Sequence, residues 1–157
     1  MRDDELARGV RLREEGKPEE ARQVLVELAR RHPDDAEVAY QTAWVHDVLG
    51  LEAEAVPYYE RALAGKELSD RLGAYTGYGS TLRGLGRYDQ ALETFVKALE
   101  EFPGDAALRT FMAMTLYNLG RSRDAVSTLL KVVAESGQVG GYRRAVEYYA
   151  DNLDETF

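Results

Sequence analysis

Few side chains of the 157-residue chain are of a kind and spacing that does chemistry. There is no cysteine, which excludes disulfides, thiolate metal sites and a cysteine nucleophile. The two histidines are His32, just before Pro33, and His46. Neither belongs to a His-Glu-x-x-His motif, and there is no Gly-x-x-x-x-Gly-Lys-[Ser/Thr] loop or Gly-x-Ser-x-Gly elbow. "GYGSTLRGLG", Gly77 to Gly86, has the glycines of a phosphate loop. No strand precedes it and no lysine follows at the required place, so it reads as a helix with small residues. The 28 carboxylates are scattered as on a solvated helical surface. Nothing sets up the paired environments of acid–base catalysis. The expectation is a chain without catalysis, metal or cofactor, in which both histidines are structural.

What remains is the chemistry of recognition. "YQTAWVHDVLG", Tyr40 to Gly50, holds the only tryptophan, Trp44, with Tyr40 four residues earlier. That spacing puts both on one helix face. The net charge of -8 argues against nucleic acid and anionic membranes, which call for a basic surface. No run approaches 18 apolar residues, and "MRDDELARGV" has no apolar signal core. These features predict a soluble cytoplasmic protein with a protein or peptide partner.

The elements that position such residues repeat along the chain. Gly16, Gly50, Gly86 and Gly120 are spaced by 34, 36 and 34 residues. Ala21, Ala55, Ala91 and Ala125 follow in step, then Leu25, Tyr59, Phe95 and Leu129, then Leu28, Ala62, Ala98 and Val132. Around each glycine lie two stretches with apolar residues at helical spacing. "ALETFVKALEEFPGD" shows the plan: an apolar face, then Pro103 to end the helix and Asp105 to cap the next. Pro33 and Asp35 repeat it, and Ser69 or Asp70 caps the helix after the two-residue insertion near "AGKELSD". The chain reads as a stack of helix–turn–helix pairs.

With these residues the chain resembles the tetratricopeptide repeat, whose unit is about 34 residues. The repeat from Leu72 to Asp105 matches best, with Tyr75, Tyr78, Gly79, Leu82, Gly86, Ala91, Phe95, Ala98 and Pro103. Sel1-like repeats, also near 36 residues, rank second, since one interval of three has that length. The resemblance implies an all-α, right-handed α-α superhelix forming a single domain over 1–157. Its repeats are expected at about 2–35, 36–69, 72–105 and 106–139, with a capping helix at about 141–153. Tyr142, Ala145, Val146, Tyr149 and Leu153 would turn inward on that cap.

In this family the first helices of successive repeats line a concave groove. Carrying over its positions places Leu6, Val10 and Arg13 there in the first repeat. Tyr40, Trp44 and Asp47 follow in the second, Thr76, Ser80 and Arg83 in the third, and Thr110, Met114 and Tyr117 in the fourth. The cap adds Arg144 and Tyr148. Gly73, Gly77 and Gly84 make a small-residue wall, either for close approach of a partner or for close packing of neighbouring helices. Tyr40 with Trp44 and Met114 with Tyr117 stand as bulky walls, and Arg83, Arg109 and Arg144 as positive charge. The chaperone-binding members hold a carboxylate with lysines, asparagines and an arginine at set positions. This chain has Leu6, Val10, Gln41, Gly73 and Gly77 in one frame and Tyr40, Trp44, Gly77, Ala107 and Phe111 in the other, so it lacks that clamp. The resemblance thus implies a scaffold that binds a peptide or helical segment. The alternatives are a homodimer, its groove filled by a neighbour's helix or its "LDETF" tail with Phe157 as anchor, or a small-molecule or lipid pocket.

Overall fold

A computed structural model of the protein describes residues 1–156; Phe157 lies outside the described residues. These form nine α-helices and one 3-10 turn, with no strand. They are α1 (Arg2–Glu14), α2 (Pro18–Arg31), α3 (Ala36–Val48), α4 (Glu52–Ala64), α5 (Arg71–Gly84), α6 (Tyr88–Glu101), α7 (Ala106–Asn118), α8 (Ser122–Glu135), a 3-10 turn at Gly140–Tyr142 and α9 (Arg143–Ala150). The chain divides into two compact units, Met1–Gly86 with α1 to α5 and Arg87–Phe157 with α6 to α9.

The helices begin and end where local chemistry dictates. Asp35, Asp70 and Asp105 cap α3, α5 and α7. Their carboxylates accept from the amides of Val38 (3.1 Å), Gly73 (2.9 Å) and Leu108 (3.0 Å). Each cap satisfies a donor that a helix start leaves orphaned. α2 and α6 stop just before Pro33 and Pro103. Between paired helices Gly50 has φ +70°, which costs a side-chain-bearing residue about 1–2 kcal/mol. Gly16, Gly86 and Gly120 repeat that geometry.

In the first unit each second helix is buried against the first helix of the next pair. Ala21, Leu25 and Val45 form one cluster, flanked by Leu6, Leu12 and Leu49. Gly9 lets α1 approach α2: a Cβ there would lie 2.6 Å from Leu25 Cδ2. Ala39, Tyr40, Ala43, Ala55, Tyr59, Ala62, Leu68 and Ala74 form a second, larger cluster. Arg2 of α1 donates from Nε and Nη2 to Asp35 (2.8 and 2.9 Å). This guanidinium holds the Asp35 carboxyl below the ordinary carboxylate value.

The glycines of α5 serve this packing. A Cβ on Gly73 would lie 2.5 Å from Tyr40 Oη, and one on Gly77 2.5 Å from Tyr59 Oη and 2.9 Å from its Cζ. The room at these two glycines is taken by the chain's own tyrosines, as close packing of neighbouring helices requires. At Gly84 a Cβ would meet nothing within 4 Å.

In the second unit Phe95 is fully buried and stacks on Phe111, with centroids 6.4 Å apart. Ala113, Leu116 and Ala125 join α7 to α8. The pattern then changes: Leu129, at the place of Leu25, Tyr59 and Phe95, is 37% exposed. α9 packs on another side of α8, where Lys131 pairs with Asp151 (2.8 Å) and Arg123 with Asp154. Val126, Leu129 and Val133 are left as an open strip. The cap also differs from the expected face. α9 ends at Ala150, which is its buried residue, while Tyr142 and Ala145 are exposed. The 3-10 turn winds three residues per turn instead of 3.6. A face counted at the α-helical period from Tyr142 therefore comes out rotated.

These contacts set the expected stability of three variants. Gly77→Ala gains about 1 kcal/mol of helix propensity but displaces buried Tyr59, at a cost of about 1–3 kcal/mol, so a net loss is expected. Gly84→Ala meets open space and is expected to stabilise by up to about 1 kcal/mol. Urea unfolding measures both, and shifts of the same sign would refute the distinction. Asp35→Ala is expected to lose about 1 kcal/mol for the cap alone, and more through the loss of the Arg2 pair.

Candidate functional site

Four-residue spacing sets Tyr40, Trp44 and Val48 along one face of α3, yet the three side chains have different fates. Tyr40, expected as an exposed wall beside Trp44, is only 6% exposed. Its ring lies 6.4 Å from that of Tyr59, and its hydroxyl donates to Asp70 (3.2 Å) in the room left by Gly73. Desolvation in this pocket pushes the Tyr40 phenol up from its ordinary value. Trp44 is 41% exposed and Val48 53%. The rings of Tyr40 and Trp44 are 5.8 Å apart and tilted by 39°. Trp44 is therefore an exposed indole backed by a buried phenol.

α1 supplies the other neighbour of the indole. Arg13 places its Cζ 3.8 Å from the Trp44 ring centroid, and its Nη1 donates to Gln41 Oε1 (2.5 Å). Its position in the repeat puts Arg13 on this face, but no local signal announces the stacking, because the two residues come from different helix pairs. Burial pulls the guanidinium below its ordinary pKa.

Behind this face lies a polar network. Half-buried Asp47 accepts from Tyr59 Oη (2.5 Å) and from Thr81 Oγ1 (2.9 Å to Oδ2, 3.0 Å to Oδ1). Burial raises the carboxyl's pKa, and the two hydroxyls oppose that rise. Asp47, expected as a groove residue, thus joins α3, α4 and α5 through its own chain. On α5, Thr76 and Ser80 are half-buried, with Thr76 Oγ1 donating to the Leu72 carbonyl (2.8 Å). Arg83 is also half-buried.

The second unit carries the remaining expected residues. Thr110 donates to the Ala106 carbonyl (2.7 Å), and Met114 is half-buried. Tyr117 and Arg144 are exposed. Tyr148 donates to Glu155 (2.5 Å) and meets Tyr149 edge-on. Arg109, expected to lend free positive charge, is paired with Glu135 at 2.5 Å.

His46 is buried in the first unit. Arg22 Nε donates to its Nε2 (3.2 Å), and its Nδ1 lies 2.7 Å from the Thr42 carbonyl oxygen. The ring stacks on Tyr58 with centroids 5.2 Å apart. Both nitrogens are engaged, so the residue acts in packing. Among the described residues no group of three His, Asp or Glu side chains is placed to hold a metal ion, and no helix is long and apolar enough to cross a membrane.

No curated protein matches the chain. Solved structures of MamA have a similar fold. MamA AMB-1 in a P212121 crystal superposes with a TM-score of 0.79 at 22% identity, covering 87% of this chain and 80% of that one. MamA from Desulfovibrio magneticus RS-1, from its residue 41 to the end, gives 0.71 at 21% identity, with 96% and 89% covered. Another MamA crystal structure gives 0.77 at 18% identity, with 99% and 78% covered. Likeness at this identity bears on fold alone. The family model described as tetratrico peptide repeat matches residues 36–153, and the all-α pairs with their buried alanines are the architecture it describes. The chain belongs to the tetratricopeptide repeat family, whose members are generally non-catalytic scaffolds for protein–protein interaction.

Proposed function

We propose that the chain is a docking module that binds a peptide or helical segment on the first-helix face of its first unit, with Trp44 as the anchor. The observation that carries this reading is the exposure of Trp44 between two buried neighbours, Ala43 and Val45, on a helix most of whose residues are buried or half-buried. Interface hot spots are enriched in tryptophan, tyrosine and arginine, and a large ring buries much area for few frozen torsions. Val48 extends the apolar surface by one turn. Affinity capture from the native organism, with Trp44→Ala as control, tests the reading. A partner held by the parent is expected to be lost from the variant. Titration of that partner is expected to show at least about tenfold weaker binding. Undiminished binding by Trp44→Ala would refute it.

The open strip of Val126, Leu129 and Val133 on α8 favours a second reading, self-association. The places equivalent to Leu129 in earlier repeats, Leu25, Tyr59 and Phe95, are buried. On this reading light scattering gives a dimer mass for the parent, and Leu129→Glu reduces it to that of a monomer. A version cut after Asn152 separates a contribution of the tail. A monomeric parent removes the reading.

A further inference from the structure

Several arginines of the chain find carboxylates: Arg2 pairs with Asp35, Arg31 with Glu5, Arg109 with Glu135 and Arg143 with Glu147, while Arg61 donates to the Ala29 and Pro33 carbonyls and Arg22 to His46. Arg13 has no carboxylate partner among the described residues, although only 9% of it is exposed. Its partners are the Gln41 amide and the Trp44 ring. Glu14, next in sequence, is exposed and acts on it only electrostatically. Desolvating a guanidinium without a counter-charge is costly, and the face of Trp44 returns only part of that cost. Packing alone gives no reason for a charge here, since a methionine or leucine stem would cover the same ring.

The guanidinium's free donors point to its use. It carries five N–H groups; Gln41 takes a bond from Nη1 and the indole takes one face. No buried side-chain nitrogen or oxygen lacks a hydrogen-bond partner among the described residues. Any Arg13 nitrogen without a protein partner is therefore not fully enclosed. A planar guanidinium fork beside an aromatic ring is suited to a carboxylate.

We infer that Arg13 recognises the side-chain carboxylate of an Asp or Glu in the segment that docks on Trp44. The ligand class is thus an acidic residue beside a large apolar one. A side chain reaches a recessed guanidinium on its own stem, whereas a chain terminus would have to bring its backbone down to it. This inference rests on the docking role proposed for Trp44 and names the chemistry of the occupant.

A synthetic library of acetylated, amidated nonapeptides, in which side chains supply the only carboxylates, is screened on the full chain. The enriched peptides are expected to carry Asp or Glu within four residues of Leu, Phe or Tyr. Isothermal titration of the best peptide is expected to show roughly 10- to 100-fold weaker binding to Arg13→Gln. The peptide's own Glu→Gln or Asp→Asn analogue is expected to lose as much on the parent and nothing further on Arg13→Gln. That analogue keeps the test decisive should Arg13→Gln fold poorly. Binders without acids, or full affinity for Arg13→Gln with loss in Trp44→Ala, overturn this inference and leave the docking face standing. No enrichment, or binders indifferent to both substitutions, overturns both.

Discussion

A pair of short amphipathic helices cannot bury both of its apolar faces by itself. In this chain the second helix of a pair carries a face of alanine, a bulky residue and a third apolar residue (alanine in the second and third repeats, Leu28 and Val132 in the first and fourth), which needs a following first helix to cover it. Leu25 is covered with Val45 and Tyr59 with Tyr78, and Phe95 stacks on Phe111. The alanines bring the helix axes close, and the bulky residue fills the remaining space at interior packing density. Leu129 shows the same constraint from the other side. α9 packs elsewhere on α8, and the residue that is core in three repeats is surface in the fourth.

Placing a tyrosine rather than leucine at the second repeat adds a requirement, because a buried phenol needs a hydrogen-bond partner. Tyr59 finds Asp47, and Thr81 supports the same carboxylate. Tyr40 finds Asp70. Both hydroxyls occupy space on α5 that only glycine leaves open. Gly73 and Gly77 each cost about 1 kcal/mol of helix propensity, and that cost is offset by two buried rings that would otherwise have no place. The small-residue wall and the aromatic walls, which look like separate features of a groove, are two halves of one packing solution.

Signals confined to a few neighbouring residues were legible in the sequence. The capping aspartates Asp35 and Asp105, the stops before Pro33 and Pro103, and the alanine series all depend on local geometry and repeat spacing, while for α5 the sequence left Ser69 or Asp70, and the cap is Asp70. Position within the repeat also placed Trp44 and Tyr40 on one face. It did not reveal that Tyr40 would turn inward while Trp44 stayed out, because that depends on the room left by Gly73 of another helix. The face of α9 was hidden for a related reason, since the 3-10 turn at Gly140–Tyr142 breaks the period from which the face is counted. The stacking of Arg13 on Trp44 was beyond reach because it joins two helix pairs.

The burial of Tyr40 strengthens the case for Trp44. Two exposed aromatic residues would form a mobile surface whose side-chain torsions must be frozen when a partner arrives, at about 0.5–1.5 kcal/mol for each flexible group. Here the phenol is already fixed by Asp70, and the indole lies between that phenol and the guanidinium of Arg13. Gln41 in turn fixes the guanidinium. Part of the ordering entropy of this small site is thus met by folding, since the indole has contacts on the Tyr40 and Arg13 sides. Such preorganisation lets an area as small as one indole and one valine contribute to affinity, because less of the gain from burial is spent on ordering the surface.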